Sequence, residues 1–202
     1  MSEPSELLVA TNNAGKVREL SQLLADLRLR LRFLSEFEDI PEAEETGATF
    51  VENATLKALH YSARVGLLTL SDDSGLVVDA LGGAPGVYSA RYAGARATYD
   101  ERMERLLEEL AATGDGARRA RFVCVIALAD PSTGLVKTFD GVCEGRIAHA
   151  PRGTRGFGYD PVFIPEGHVQ TFGELPDEIK QTISHRARAL AKAARHLREH
   201  FQ

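Results

Sequence analysis

The sequence predicts a mixed α/β fold, with helices flanking a sheet that contains both parallel and antiparallel neighbours. Apolar residues recur at helical spacing in four segments, and short apolar runs of strand length lie between them. Two consecutive runs, Arg121 to Asp130 and Leu135 to Ala148, are joined by the turn-like Pro131-Ser132-Thr133-Gly134, which makes them a hairpin. The 202 residues, 44% hydrophobic and 26% charged, suffice for one well-buried core or two small lobes sharing a sheet. No repeat, low-complexity tract or Ser/Gly-rich linker divides the chain.

The chain opens as strand then helix. Leu7 to Ala10 is a short apolar run, and Val17, Leu20, Leu24 and Leu27 follow at helical spacing. Leu29 to Leu34 is a second strand, and an acidic loop runs from Glu36 to Glu45. Thr49 and Glu52 have the spacing of a capping box, which opens a helix carrying Phe50, Ala54, Ala58, Tyr61 and Val65 on one face; Gly66 ends it. Leu67 to Leu70, Ser71 to Gly75 and Leu76 to Val78 read as strand, polar turn and strand. Gly82-Gly83-Ala84-Pro85-Gly86 is a loop. A second capping box, Thr98 with Glu101, opens the helix of Met103, Leu106, Leu107 and Leu110. After the hairpin, Pro151 to Pro165 is a loop rich in Gly, Pro and aromatic residues, and Ser184 to Phe201 is a terminal helix through Ala187, Leu190, Ala191, Ala194 and Leu197.

Charge and composition exclude several function classes. Lys and Arg total 24 against 29 Asp and Glu, and the net charge of −5 argues against a nucleic-acid polymer as partner. It leaves room for a small anionic ligand met by a few local cations and a metal. No apolar run approaches the roughly 18–20 residues that cross a bilayer, and the acidic start Met1 to Glu6 is unlike a basic signal-peptide start. The expectation is a cytoplasmic protein without a membrane partner. Cys124 and Cys143 show no metal-type spacing and read as reduced core thiols.

Four segments carry residues suited to chemistry. Thr11-Asn12-Asn13-Ala14-Gly15-Lys16 sits where a strand hands over to a helix, a place where amide groups and the helix dipole attract phosphate oxygens. It lacks the P-loop pattern, and an Asn-capped helix with an exposed lysine would look the same. Glu44-Glu45 and Asp72-Asp73 offer hard oxygen ligands for Mg²⁺, or else a solvated loop and a hydrogen-bonded turn. Adjacent acids repel unless a cation or hydrogen bonds offset them, which makes Asp72-Asp73 the more pointed pair. In Gly156-Phe157-Gly158-Tyr159-Asp160-Pro161 the rings can stack on a flat base or tuck into the core. Ser184-His185-Arg186 offers a cap, an imidazole and a fixed cation at the start of the last helix. His196 and His200 are four apart on that helix, a solvated face unless a third ligand joins them.

Taken in order, Thr11-x-Asn13-x-x-Lys16, Glu44-Glu45-Thr46-Gly47, Glu52-Asn53-Ala54-x-x-Lys57-Ala58, Asp72-Asp73-Ser74-Gly75, Gly82 to Arg91, Gly156 to Pro161 and Ser184-His185-Arg186 resemble the inosine triphosphate pyrophosphatase family, also called the Ham1 or non-standard purine nucleoside triphosphate pyrophosphatase family. The resemblance extends from about Leu7 to the terminal helix. It implies Mg²⁺-dependent hydrolysis of ITP, dITP, XTP and dXTP to monophosphate and pyrophosphate. It also implies an elongated mixed-sheet α/β fold, one domain over residues 1–202 made of two lobes flanking a central nucleotide cleft, and a homodimer.

By position, the resemblance implies that Thr11, Asn12, Asn13, Ala14, Gly15 and Lys16 hold the triphosphate, with Lys57 as a further cation. It makes Asp73 the general base and a magnesium ligand, Glu44 the second metal ligand, and Ser74 a substrate contact. Phe157, Gly158, Tyr159, Asp160, Lys180, His185 and Arg186 then surround base and sugar. Two positions depart from the family pattern: Gly173 stands where alanine is common, which would loosen the lead-in to Pro176–Lys180, and Gln181 where asparagine is frequent. A sensor that binds purine nucleotides without cleaving them, and a Maf-like pyrophosphatase for other modified nucleotides, are the alternatives. The Ser-His-Arg helix and the Phe-Gly-Tyr-Asp loop count against the second.

Overall fold

The structure, a computed structural model, describes residues 5–114, 116–134 and 136–201. Most of the acidic start and Leu135 of the expected hairpin lie outside the described residues. The elements run β1 (Glu6–Val9), α1 (Ala14–Leu24), β2 (Arg30–Phe33), α2 (Phe50–Val65), β3 (Leu68–Val78), α3 (Tyr99–Ala112), β4 (Arg119–Ala129), β5 (Val136–Ile147), β6 (Phe163–Pro165), α4 (Asp177–Ile183) and α5 (His185–Phe201). The strands form one sheet in the order β2-β1-β3-β4-β5-β6. β1 runs parallel to β2 and to β3, with Leu7 opposite Leu31 and Leu68, whereas β5 and β6 are antiparallel. The sheet is therefore mixed.

Local chemistry accounts for most boundaries. The Thr49 hydroxyl accepts the Glu52 N–H at the start of α2, Glu52 reaches back to the cap, and Gly66 closes the helix in the left-handed conformation at φ 71°. The Thr98–Glu101 box does the same for α3. β3 is the main correction. It passes unbroken through Ser71 to Gly75, where turn residues were expected, because its polar side chains find tertiary partners. Ser71 Oγ donates to the Ala54 carbonyl at 2.6 Å, and Asp72 is ion-paired. Packing overrides turn propensity there. Two further elements had no clear sequence signal. β6 lies within the expected loop and packs on β5 at Gly145, where a Cβ would come within 2.3 Å of the Ile164 carbonyl oxygen. α4 has only seven residues.

The chain forms two compact units: residues to Asp73 with Cys124–Gly141 and those from Arg186 on, and Ser74–Val123 with Val142–His185. In the first, period-two alternation sends Leu7 and Val9 toward Leu20 and Leu24 of α1 and Leu190, Ala193 and Leu197 of α5. Leu8 and Ala10 pack instead with Leu34 and Tyr61, while Ala54 and Ala58 of α2 meet Val125, Ala127 and Ala129. A sheet covered on both faces explains why these strands read as apolar runs. The second unit centres on Leu76, Val78, Met103, Leu106, Phe122, Ile147, Phe163 and Phe172.

Cys124 and Cys143 are buried thiols outside any disulfide, one in each core. Burial pushes the Cys124 thiol up to about 12, so it is protonated and inert. Among the described residues, no helix is long and apolar enough to cross a membrane.

Candidate active site

The first unit gathers its ionic side chains around the middle of β3. β1 ends at Val9, and the Thr11–Lys16 segment turns from strand to helix through its own polar groups. Thr11 Oγ1 accepts the Asn13 N–H at 3.2 Å, and Asn13 Oδ1 caps α1 by accepting the Lys16 N–H at 3.1 Å. Ala14 and Gly15 open the helix, and Asn12 is exposed. The segment is thus a capped helix start whose geometry suits an anion.

Lys16 points at Asp72, its Nζ 3.1 Å from Oδ2. The same oxygen takes Arg186 NH2 at 3.2 Å, and Arg186 NH1 pairs with Glu19. Asp72 is fully buried, which by itself would raise its pKa. The cations Lys16 and Arg186 outweigh that and hold it well below the usual carboxylate range. Asp72 is therefore a fixed negative charge. Arg186, expected beside a base, is buried in the first unit with its guanidinium on Asp72 and Glu19.

Asp73 differs from its neighbour. Burial pushes its carboxyl above the ordinary value, and nearby Glu45 and Asp72 add to the shift against the pull of Lys57. Its Oδ1 lies 3.3 Å from Lys57 Nζ, and its buried Oδ2 has no hydrogen-bond partner among the described residues. Lys57 is itself buried on α2, yet its pKa is raised, because Asp73, Asp72 and Glu45 more than offset the cost of burial.

The acid that completes this cluster is Glu45, 2.7 Å from Lys57 Nζ. Glu44 is exposed and instead lines an open cavity of ≈ 670 Å³ with Pro41, Thr46, Leu56, His60 and Arg64. Glu44, the residue expected at the metal, thus lines this cavity, while its neighbour Glu45 meets Lys57. Asp73 and Glu45 fit a divalent cation. Both supply hard oxygens, one oxygen lies buried without a partner, and a cation there would offset the repulsion that raises Asp73.

The second unit holds the aromatic group. Asp160 accepts the Phe157 N–H at 2.7 Å and pairs with Lys180, whose Nζ lies 4.8 Å from the centre of the Phe157 ring. Gly156, at φ 73°, permits this latch, since a Cβ there would fall 2.0 Å from Asp160 Oδ2. Gly158 also has a positive φ, of 68°. Tyr159 is a core residue whose hydroxyl donates to the Ser89 carbonyl at 3.0 Å, so its ring has no surface left for stacking. Phe157 is half-buried and Ser74 only partly exposed. His185 is stacked on Phe122, with centroids 4.7 Å apart and planes at 13°.

Gly173 does not loosen its segment. Its N–H donates to Asp160 O at 3.0 Å and its carbonyl accepts the Arg155 N–H at 3.0 Å. On α5, His196, Glu199 and His200 bring potential ligand atoms within 4.8 Å of one another, so Glu199 stands where a third donor would. Lys137 Nζ already stands 3.4 Å from His196 Nδ1.

Glu45, Asp72 and Glu19 are members of the ionic cluster that the sequence did not single out. Glu45 and Asp72 were visible only as members of acidic pairs, and Glu19 carried no signal.

Known proteins resemble the chain in sequence and in backbone. A model of the Ham1 family matches residues 7–196. A dITP/XTP pyrophosphatase of Coxiella burnetii is 46% identical over 197 residues, covering 97% of this chain and 98% of the relative. One from Rhodospirillum centenum is 51% identical over 184 residues, covering 91% and 90%. A solved Coxiella burnetii HAM1 protein superposes with a TM-score of 0.89 at 46% identity, covering 96% of this chain and 99% of that one. The Staphylococcus aureus Ham1 protein gives 0.86 at 38% identity, covering 96% and 99%. Matched along nearly its whole length in sequence and in backbone, the chain belongs to the Ham1 family.

Proposed function

We propose that the protein hydrolyses the non-standard purine nucleoside triphosphates ITP, dITP, XTP and dXTP to nucleoside monophosphate and pyrophosphate with Mg²⁺, removing deaminated purines from the nucleotide pool. The two units act as one pyrophosphatase domain. The observation that carries this reading is Asp73, a buried carboxylate of raised proton affinity with one oxygen unpartnered, set beside Lys57 and Glu45. The activity named for the relatives, dITP/XTP pyrophosphatase, supports it.

In this reading the first turn of α1, Lys16 and Lys57 take the triphosphate, their charges meeting its phosphate oxygens. Asp73 accepts the proton of a water that attacks the α-phosphorus. A new oxygen–phosphorus bond forms, the bond from the α-phosphorus to the bridging oxygen breaks, and pyrophosphate leaves with that electron pair. Asp73 and Glu45 would hold Mg²⁺, which would supply Lewis-acid chemistry there, making the water more acidic and offsetting charge on the leaving group. Asp72 stays ionised and orients Lys16, with Arg186 and Glu19 holding it in turn.

Base selection falls to the second unit. Hypoxanthine and xanthine carry a 6-keto acceptor where adenine carries an amino donor, so Lys180 or a backbone amide favours the keto base. Phe157 supplies the stacking face, and Ser74, Gly158, Asp160 and His185 shape the surroundings of the base and sugar. Side-by-side turnover of ITP, XTP, GTP and ATP tests this reading. Preference for ITP and XTP is expected, and equal rates would refute keto selection.

The protein acts as a homodimer in the cytoplasm, with neither nucleic-acid polymer nor membrane as partner. Sedimentation at low micromolar concentration checks the assembly, and a stable monomer would contradict it.

A further inference from the structure

Asn53 is fully buried on α2, one helical turn before Lys57. Its Oδ1 accepts the Gly47 N–H at 2.8 Å, while its Nδ2 is buried with no partner among the described residues. The amide's orientation is settled by chemistry, because an N–H can be met only by an acceptor. A buried donor left unmatched costs stability, so this asparagine is a poor choice for packing alone. What the position supplies is the acceptor.

The loop it grips is tightly held. A Cβ on Gly47 would come within 2.6 Å of Glu52 Cβ and 2.7 Å of Asn53 Oδ1. The next two amides, Ala48 and Thr49, donate to Glu52 Oε2 at 2.7 and 3.1 Å. Three consecutive N–H groups are thereby fastened to adjacent side chains of α2. Glu45 lies two residues before Gly47, at most ~7 Å of chain, and its carboxylate meets Lys57, four residues after Asn53 on the same helix face.

We propose that Asn53 is a positioning residue that fastens the acidic loop at Gly47 so that Glu45 stands opposite Asp73 as a ligand for the divalent cation. This rests on the reading of Glu45 and Asp73 as the metal pair.

The test is Mn²⁺ binding to the full chain without nucleotide, followed by loss of the free-ion electron paramagnetic resonance signal. Asn53→Ala should weaken binding about tenfold. Asn53→Asp, which keeps an acceptor facing Gly47, should bind within about threefold of the parent or more tightly. Amide exchange at Gly47 should accelerate in Asn53→Ala and not in Asn53→Asp. If Asn53→Ala does not fold, Gly47→Ala breaks the same contact from the loop side and should show the same loss. Unchanged Mn²⁺ affinity in either alanine variant, or equal loss in Asn53→Ala and Asn53→Asp, would overturn the role of Asn53. Absence of Mn²⁺ binding by the parent protein would overturn the metal pair, and this inference with it, whatever the Gly47 exchange shows.

Discussion

Lys57 Nζ lies 3.3 Å from Asp73 Oδ1 in a buried setting, an ammonium against a carboxylate whose proton affinity is raised. Burial dominates that shift and Lys57 only moderates it. Asp73 is thereby suited to take a proton, while Lys57 keeps its charge.

Removing the base should therefore damage turnover and spare binding. Asp73→Asn is expected to lower kcat by roughly 10²- to 10⁴-fold. Nucleotide affinity, measured by calorimetry under non-turnover conditions, should change far less. A loss of affinity with kcat intact would show that Asp73 only binds.

The two neighbouring glutamates should part company. Glu45 touches Lys57, whereas Glu44 lines the open cavity. Glu45→Gln should raise the Mg²⁺ concentration for half-maximal turnover about tenfold or more, and Glu44→Gln should leave it within about twofold. Mg²⁺ titrations of both variants decide between them.

Asp72 is a structural anion whose loss strands two cations. Asp72→Asn should cost about 3–5 kcal/mol in chemical denaturation near pH 7, since Lys16 and Arg186 lose their shared partner. The folded pKa lies below the unfolded value, so the stability Asp72 contributes is present above the unfolded value near 4 and is lost as pH falls below it toward the folded pKa. The parent should weaken on acidification through this window, and that part of the pH dependence should vanish in Asp72→Asn.

Phe157 tests the base-binding half. Phe157→Ala should raise KM for ITP by about 5- to 150-fold, the range of a lost base-stacking contact of ~1–3 kcal/mol, with a smaller effect on kcat. Tyr159→Phe should instead lower stability, because the Tyr159 hydroxyl serves the core bond to Ser89.

Helices were the most legible part of the sequence. α2 announces both its ends, through the Thr49–Glu52 box and Gly66, because capping chemistry is local. β3 was not legible through Ser71 to Gly75. The partners that keep those residues extended and buried, Ala54, Lys16 and Arg186, lie far away in the chain. The same distance hid the division of labour between Asp72 and Asp73, adjacent residues set apart by which cations reach them. Glu44 and Glu45 are indistinguishable as letters; only the direction of the loop, fastened at Gly47, separates them. The setting of Tyr159 was hidden for a related reason, since an aromatic beside glycines serves a base or a core equally well until its neighbours Ser89 and Tyr99 are known.

The central claim, that water positioned by Asp73 attacks the α-phosphorus, is tested most directly by hydrolysing dITP in ¹⁸O-labelled water and locating the label by ³¹P nuclear magnetic resonance. The label is expected in the nucleoside monophosphate, with unlabelled pyrophosphate as the other product. Label in pyrophosphate or in orthophosphate would contradict the account.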